Sequence, residues 1–294
     1  MKSSRVLLLG RPNVGKSTFI NTLFGQKLAI TSPRPQTTRF PIHAKFRDER
    51  GEITFIDTPG VFRKAKDALS KSINKRTLAT FADEVDAVVY MMDPTREKDF
   101  EEARVLGLFR QMKTKKMVAF TKLDLGQKYL AQYSYIFDEV AEEDIFKISC
   151  LKGTHIPSLI DRLFEIAPEK SEIGFDQDGP MDEQDTTTPA TNLDSKTWLA
   201  ELVREKVFLN TRKEVPYATN VEVDEVVEKE DGMLVIKARI VTTNDTYKKM
   251  LIGARGRRVK AIGMAVRKEL ELATNKHVFI ELLVEVDRHW VEKY

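Results

Sequence analysis

The chain has a single cysteine, Cys150, among its 294 residues, so it cannot form an internal disulfide bond. A chain without disulfides is typical of the reducing cytoplasm, which is the compartment we expect. No apolar run approaches the roughly 18–20 residues that a membrane-spanning helix needs. The apolar run at residues 6–9 stops at Gly10 and is too short for the core of a signal peptide, so we expect no secretion.

Charge of one sign is missing from two segments of the chain. Residues 172–194 contain seven acidic residues and no lysine or arginine, whereas residues 248–268 contain eight basic residues and no acid. The net charge of +3 conceals this segregation. The basic segment indicates a surface for a polyanion in the C-terminal part of the chain. A solvated helix face is the alternative explanation for a basic run considered alone.

The first part of the chain, up to about residue 168, alternates short apolar runs with helical patterns. This alternation predicts a mostly parallel β-sheet with helices on both faces. Such sheets bind ligands at the carboxyl ends of their strands. The predicted strands are residues 5–9, 40–46, 53–57, 87–92, 116–121 and 146–149, and the predicted helices are residues 16–24, 68–81, 99–112, 128–137 and 156–166.

The composition changes after residue 170. Residues 171–194 combine the acidic run with glycine, proline and threonine and cannot bury a core, so we predict a linker. The order helix–strand–strand–helix–helix–strand follows, at residues 198–208, 221–227, 233–241, 245–251, 259–272 and 278–286. We therefore predict a nucleotide-binding domain at 1–170, a linker at 171–194 and a small α+β domain at 195–294.

A phosphate-binding motif follows the first predicted strand and opens the first predicted helix. Residues 10–17, G-R-P-N-V-G-K-S, match the pattern G-x-x-x-x-G-K-S/T. The glycines let backbone amides surround phosphates, Lys16 reaches the β- and γ-phosphates, and the Ser17 hydroxyl binds Mg²⁺. A glycine-containing turn without a ligand is the alternative. The predicted nucleotide contacts are Gly10, Asn13, Val14, Gly15, Lys16, Ser17 and Thr18.

The tetrapeptide Asp57-Thr58-Pro59-Gly60 lies at the end of the third predicted strand. A carboxylate at this position can hold Mg²⁺ directly or through water, and the Gly60 amide can meet the γ-phosphate. A simple Pro-Gly turn is the alternative. Together with the phosphate loop, these four residues predict a nucleoside triphosphate site with magnesium.

Base selection is predicted at the ends of the fifth and sixth strands. In Thr121-Lys122-Leu123-Asp124, the Asp124 carboxylate can accept two hydrogen bonds from guanine, whereas adenine lacks that pair of donors. The aliphatic part of Lys122 can cover one face of the base. Backbone amides of Ser149, Cys150 and Leu151 can close the other edge. A nucleophilic Cys150 is the alternative, although His155 is the only histidine near it in sequence.

These motifs and the segment P-Q-T-T-R at residues 35–39 occur in the order and spacing of translation-type GTPases, and they resemble the bacterial Era family. In that family a P-loop GTPase domain is followed by a type II KH domain. Residues 215–217 (V-P-Y) and 251–263 (L-I-G-A-R-G-R-R-V-K-A-I-G) resemble the core of that KH domain. The resemblance covers the chain except for the acidic linker.

The resemblance implies slow, Mg²⁺-dependent hydrolysis of GTP to GDP and phosphate. It places Thr38, or its neighbour Thr37, beside Ser17 and Asp57 on the metal ion, with switch regions at 27–39 and 58–71. The residues assigned to catalysis are Lys16, Thr38, Gly60 and Asn13. Val61 stands where Ras-like switches have a glutamine that orients water. Asn13 either binds K⁺, as in several related GTPases, or is only a turn residue.

Two positions depart from the family pattern. Thr121 stands where the family usually has an asparagine that ties the base-binding loop to the phosphate loop and touches the base. The shorter side chain puts nucleotide affinity in question, although Asp124 still selects guanine. Cys150 replaces the usual alanine, which is a small change.

The G-x-x-G sequence at residues 253–256 predicts an RNA site, because such loops let a nucleic-acid backbone approach closely. A helix-capping glycine is the alternative. The predicted RNA contacts are Ile252, Gly253, Ala254, Arg255, Gly256, Arg257, Arg258 and Lys260. The resemblance implies binding to the 3′ end of small-subunit ribosomal RNA and a role in assembly of the 30S subunit. It also implies a monomer and leaves open peripheral contact with the inner face of the cell membrane, for which we identify no amphipathic anchor.

Two other functions are compatible with parts of this pattern. A P-loop kinase or ATPase would share the phosphate loop but has no use for Asp124. A binding module could hold its nucleotide as a structural element without hydrolysing it. Comparison of GTP with ATP binding separates the first alternative, and a single-turnover assay with and without RNA addresses the second.

Overall fold

The computed structural model describes residues 1–32, 41–58, 85–169 and 192–293. The chain divides into two compact units, Met1–Asn192 and Leu193–Tyr294. No helix in these described ranges is long and apolar enough to span a membrane. The predicted helix at 68–81 and the predicted linker up to residue 191 lie outside the described residues.

The first unit contains a six-stranded sheet in the order β2-β3-β1-β4-β5-β6. β2 runs antiparallel to β3 and the other pairs are parallel, so the prediction of a mostly parallel sheet is confirmed. Every side chain of β4 is buried, as expected for a strand covered on both faces. The strands are β1 (Lys2–Leu9), β2 (Ile42–Asp48), β3 (Gly51–Asp57), β4 (Ala87–Met92), β5 (Lys115–Phe120) and β6 (Ile145–Lys147).

Helices cover both faces of this sheet. Along β1, Val6 and Leu8 face one apolar cluster with α1 and α4, whereas Leu7 and Leu9 face a second cluster with α2. This division follows from the alternation of side chains along a strand. The helices are α1 (Lys16–Phe24), α2 (Phe100–Gln111), α3 (Ile136–Glu139) and α4 (Ile156–Ile166).

The prediction of one continuous helix at 128–137 is wrong. A 3₁₀ turn at Leu130–Tyr133 and the single-turn helix α3 occupy this segment instead. The buried residues Tyr133 and Ile136 are three positions apart, a spacing that the tighter 3₁₀ turn satisfies as well as an α-helix does. The apolar spacing alone therefore could not distinguish the two.

The second unit has the predicted order of elements. Its sheet runs β7-β8-β9, with β7 antiparallel and β9 parallel to β8. Helix residues and inward-facing strand residues form one apolar cluster. Asp194, the last residue of the predicted linker, caps α5 by accepting the N–H groups of Lys196 and Thr197, at 2.9 Å each. The elements are α5 (Ser195–Asn210), β7 (Thr219–Glu228), β8 (Leu234–Thr242), α6 (Asp245–Ile252), α7 (Arg257–Thr274) and β9 (Val278–Val286).

Candidate nucleotide and RNA-binding sites

The phosphate loop joins β1 to α1 at the carboxyl edge of the sheet. A Cβ atom on Gly10 would lie 2.6 Å from the carbonyl oxygen of Met91, so β4 leaves no room for a side chain there. Gly15 precedes the helix with a φ of 111°, in the region that favours glycine. The helix N-terminus that follows provides the positive end of a helix dipole and amides without helical acceptors. The loop therefore has the geometry of an anion site.

Lys16 is buried inside this loop. Its Nζ donates to the carbonyl oxygens of Gly10, at 3.0 Å, and Arg11, at 3.2 Å. Burial lowers the pKa of the Lys16 ammonium, while the charge of Asp57 opposes this effect. In the described part of the chain the hydrogen-bond acceptors of this buried ammonium are neutral carbonyl oxygens, and a phosphate group would supply a compensating negative charge.

Ser17 and Asp57 lie together next to the loop. The Ser17 hydroxyl donates to Oδ2 of Asp57 at 2.6 Å. Asp57 is fully buried, which raises the pKa of its carboxyl group, and among the described residues its Oδ1 has no hydrogen-bond partner. A buried carboxylate oxygen in need of a partner, beside a hydroxyl, fits a hard divalent cation.

No group of three or more histidine, cysteine, aspartate or glutamate side chains in the described part of the chain could hold a metal ion. A cation between Ser17 and Asp57 therefore requires other oxygen ligands. Phosphate and water oxygens are the usual ones for Mg²⁺, which seldom sits in a cage made by protein alone. The donor set fits magnesium that arrives with a nucleotide.

The base-binding residues follow β5 and β6. Asp124 lies in a 3₁₀ turn after β5, and its Oδ1 accepts the Ser149 hydroxyl at 2.5 Å. Lys122 adopts a left-handed conformation with a φ of 57° and pairs through Nζ with Oδ2 of Asp93 at 2.6 Å. Ser149 and Asp93 thus fix the two side chains that the sequence assigned to guanine.

Thr121 links the base-binding loop to the phosphate loop. Its buried Oγ1 lies 2.8 Å from the carbonyl oxygen of Val14 and 3.1 Å from that of Met92, and its single proton can serve one of them at a time. The resemblance assigned such a tie to asparagine. Threonine makes it here through the hydroxyl group.

Cys150 packs beside the phosphate loop. Its Sγ would lie 3.6 Å from a Cβ on Gly15, and its carbonyl oxygen accepts the Thr22 hydroxyl at 2.6 Å. Burial, aided by the nearby Asp124 charge, raises the pKa of the Cys150 thiol to about 12. A protonated, buried thiol does not suit a nucleophile and agrees with a packing role. Leu151, the next residue, is exposed.

Other predicted site residues have different positions. Val14 belongs to the apolar cluster under α1, and Thr18 is half-buried. The Thr58 hydroxyl donates its proton to the Leu8 carbonyl oxygen at 3.2 Å. Thr38, Pro59 and Gly60, together with Thr37 and Val61, lie outside the described residues.

Sequence reasoning missed Asp93 and Arg11. Asp93 follows β4 at the sheet edge where Asp57 and Asp124 follow their own strands, and this common placement was the available signal. Burial opposes ionisation, but hydrogen bonds from Lys122 and Thr95 hold the pKa of Asp93 below its usual range. Arg11 lay within the phosphate motif but at a position where the motif accepts any residue.

In the second unit, both glycines of the G-x-x-G loop are required by the backbone. Gly253 ends α6 with a φ of 72°, and a Cβ there would lie 2.9 Å from Cβ of Arg258. Gly256 precedes α7 with a φ of 75°, but a Cβ atom added there would have no described atom within 4 Å. Gly253 therefore caps a helix, as the alternative explanation stated. Gly256 has no neighbour that excludes a side chain, so a partner can approach it closely.

The basic residues of the loop differ in their contacts. Arg255, Arg257 and Lys260 are exposed, and in the described ranges no acidic side chain pairs with them. Arg258 is half-buried, and its Nη1 donates to the Met250 carbonyl oxygen near the end of α6. Three of the four cations are thus exposed to an anion, although Nε of Arg257 also donates to the Ala254 carbonyl oxygen at 3.4 Å, whereas Arg258 helps to close the helix–loop–helix.

An open groove of about 280 Å³ lies beside the loop, between α7 and β9. Met264 and Phe279 are 61% and 53% exposed in it, and Lys260 and Arg267 lie at its polar side. Apolar side chains flanked by cations are what nucleobases and phosphates require. The sequence analysis did not name these groove residues, because they lie on two elements that only the fold brings together.

Comparison with known proteins gives matches to both parts of the chain. The family model for 50S ribosome-binding GTPases matches residues 5–122, and that for the KH domain matches residues 214–291. GTPase Era of Halothermothrix orenii is 32% identical over 293 residues, covering 99% of this chain and 95% of that protein. GTPase Era of Geobacter metallireducens is 35% identical over 294 residues, covering 99% and 94%.

Solved structures of Era are also similar to this chain. A point variant of Era from Aquifex aeolicus, bound to GDP and AlF₄⁻, has a TM-score of 0.86 and 30% identity, covering 100% of this chain and 96% of that one. A structure of Era with MgGDPNP and nucleotides 1506–1542 of 16S ribosomal RNA has the same TM-score, identity and coverage. The chain therefore belongs to the Era family of GTPases, enzymes that hydrolyse GTP to GDP and phosphate.

Proposed function

We propose that this GTPase binds the 3′ end of small-subunit ribosomal RNA through its second unit and acts in assembly of the 30S subunit. The supporting observation is the exposed, basic G-x-x-G loop beside an apolar groove. The chain also aligns over its whole length with an Era that was crystallised with the 3′ segment of 16S ribosomal RNA. Binding of GTP in the first unit would then switch an activity that resides in the second.

In the first unit, the phosphate loop and Lys16 bind the phosphates, and Asp124 selects guanine. Ser17 and Asp57 would hold Mg²⁺, for which the buried Oδ1 of Asp57 is suited. When bound, the metal ion neutralises charge that develops on the phosphates. The resemblance adds Thr38 to the metal site, the motif at residues 57–60 adds the Gly60 amide to the γ-phosphate site, and both assignments stay predictions.

Slow hydrolysis follows from Val61, because valine can neither accept a proton nor orient water. A monovalent cation at Asn13 could supply the missing positive charge. Asn13 has a φ of 62° inside the phosphate loop, which a turn residue would also adopt. Hydrolysis rates in K⁺ and in Na⁺ at equal ionic strength distinguish a cation site at Asn13 from a turn residue. A K⁺ preference that Asn13→Ala removes supports the cation site, and equal rates in both salts leave Asn13 as a turn residue.

In the second unit, RNA phosphates contact Arg255, Arg257 and Lys260, and the bases lie in the groove near Met264 and Phe279. The main chain of residues 252–256 lets the RNA backbone approach. Charge attraction supplies affinity, while contacts to the unstacked bases supply sequence preference.

Fluorescence anisotropy with a labelled RNA of the small-subunit 3′ end tests the proposal, with a scrambled RNA of equal length as the comparison. We expect tighter binding to the natural sequence, and near-complete loss of binding in Gly256→Asp, which adds bulk and negative charge at the point of approach. GTP binding should persist in that variant, because the nucleotide site lies in the other unit. Normal RNA binding by Gly256→Asp would refute the proposed RNA site at the G-x-x-G loop and leave the GTPase assignment intact.

Two cheaper measurements address the remaining alternatives. Competition between GTP and ATP for the first unit should favour GTP strongly, and equal affinity would instead indicate an ATPase or kinase. Sedimentation of the purified chain should give a monomer, and co-sedimentation with anionic vesicles measures any peripheral membrane contact.

A further inference from the structure

Arg11 is a buried arginine in the second position of the phosphate loop. Its side chain is fully shielded from solvent, which is unusual for a residue in a ligand-binding loop. Nη1 forms an ion pair with the Asp99 carboxylate at 3.2 Å, and Nε lies 2.5 Å from the Glu102 carboxylate as an ion pair without the alignment of a hydrogen bond. Further guanidinium N–H groups donate to the carbonyl oxygen of Glu97 at 3.1 Å and to the Tyr133 hydroxyl at 3.1 Å.

These partners connect the loop to two elements on one face of the sheet. Asp99 caps α2 by accepting the N–H of Glu102 at 2.9 Å, and Glu102 also accepts the hydroxyl of Tyr90 in β4. Tyr133 lies in the 3₁₀ turn that replaces the predicted helix. One guanidinium thus joins the phosphate loop to α2, to β4 through Glu102, and to that turn.

The same guanidinium also reaches toward the base site. Its Nη2 lies 3.5 Å from the carbonyl oxygen of Asp93, whose carboxylate holds Lys122. The carbonyl oxygen of Arg11 accepts Nζ of Lys16 at 3.2 Å. Arg11 is therefore in contact with the phosphate-binding lysine on one side and with the anchor of the base-binding lysine on the other.

We propose that Arg11 is a positioning residue that couples the phosphate loop to the guanine-binding loop. The proposal rests on the GTPase activity of the family and adds a residue whose guanidinium is buried against other protein groups. Stability alone accounts poorly for such a residue, since a buried ion pair can often be replaced by apolar side chains of similar volume without loss of stability. Arginine differs from such a replacement by its planar set of five donors, which fixes several acceptors at once.

The test separates positioning from folding. Arg11→Met alone leaves Glu102 buried without its cation, so we expect a clear loss of thermal stability. The double variant Arg11→Met/Glu102→Gln removes both charges and keeps an acceptor for Tyr90, so it should recover most of that loss. Glu102→Gln is the matched control and should release fluorescent GDP at nearly the wild-type rate, because Arg11 keeps its other contacts.

The decisive measurement is the dissociation rate of fluorescent GDP from each variant. We expect the double variant to release GDP about tenfold faster than wild type although it is stable, which corresponds to about 1.4 kcal/mol. Arg11→Lys keeps the positive charge but loses the planar set of guanidinium donors, so it should also release GDP faster. This variant keeps the test valid if Arg11→Met does not fold. A wild-type dissociation rate in the stable double variant, or in Arg11→Lys, would show that Arg11 only supports the fold.

Discussion

The contribution of each cation in the G-x-x-G loop can be measured from the salt dependence of RNA binding. Arg255, Arg257 and Lys260 are exposed and available to phosphates, whereas Arg258 donates to the carbonyl oxygen of Met250. The four substitutions by glutamine therefore form a matched set. Three of them should remove a phosphate contact, and Arg258→Gln should instead loosen the end of α6.

The magnitude follows from counterion release. Each phosphate contact to a single strand contributes about 0.7 to the slope of log K against log salt. Three contacts from the loop give a slope of about 2.1, so raising salt from about 50 to about 200 mM should weaken binding through the loop by roughly 20-fold. Without one contact the slope is about 1.4, and the same change in salt should weaken binding by roughly sevenfold.

Anisotropy titrations at four or five salt concentrations, with the natural RNA, provide these slopes. The informative quantity is the difference in slope between variant and wild type, because other basic side chains, such as that of Lys268, contribute equally to both slopes. Arg258→Gln should keep the wild-type slope and lower the thermal stability of the second unit. An equal fall in slope for Arg258→Gln and Arg255→Gln would refute the distinction between them. Unchanged slopes in all four variants would remove the RNA site from this loop.

Three further predictions concern the nucleotide site. Asp124→Asn should weaken GTP binding by a few kcal/mol and admit xanthine nucleotide, since asparagine presents a donor where guanine also has one; unchanged affinity in a GTP titration would take this residue out of the base site. Thr121→Val should raise the nucleotide dissociation rate, because it leaves the buried carbonyl oxygen of Val14 without its donor, which costs about 1–3 kcal/mol of stability at the site. Thr121→Ser keeps the hydroxyl and should retain the wild-type rate. Equal dissociation rates in the valine and serine variants would contradict the link between the two loops. Cys150, with a thiol pKa of about 12, should react with iodoacetamide at pH 8 roughly a thousandfold more slowly in the folded protein than in urea. The folded-state pKa is raised, so this thiol should also lower stability as pH rises from the unfolded-state value of about 8.5 toward 12, an effect absent in Cys150→Ala; rapid labelling of folded protein would show that the thiol is exposed.

The local sequence was sufficient to predict the bounds of those helices and strands whose apolar pattern lies within the element itself. The bounds of α1 and α4 agree with the prediction, because both helices have clear apolar periodicity and α1 directly follows Gly15, whose φ of 111° only glycine adopts readily. β9 agrees for a similar reason, since its inward residues alternate over its whole length. The prediction for residues 128–137 failed because apolar spacing does not distinguish one continuous α-helix from a 3₁₀ turn followed by a single-turn helix.

The sequence by itself predicted which groups form the nucleotide site, because its motifs place a lysine and a hydroxyl in the loop after the first strand and one carboxylate near the end of each of the third and fifth strands. The tertiary structure decided how those groups are held. Residues 82 to 107 positions apart come into contact when Arg11 meets Asp93 and when Thr121 meets Val14, and no periodic pattern encodes such pairs. It likewise decided that the Arg258 guanidinium donates to the carbonyl oxygen of Met250 near the end of α6, whereas Arg255 and Lys260 are exposed. Motifs determine which groups are present, and packing between distant segments determines which of them are already engaged.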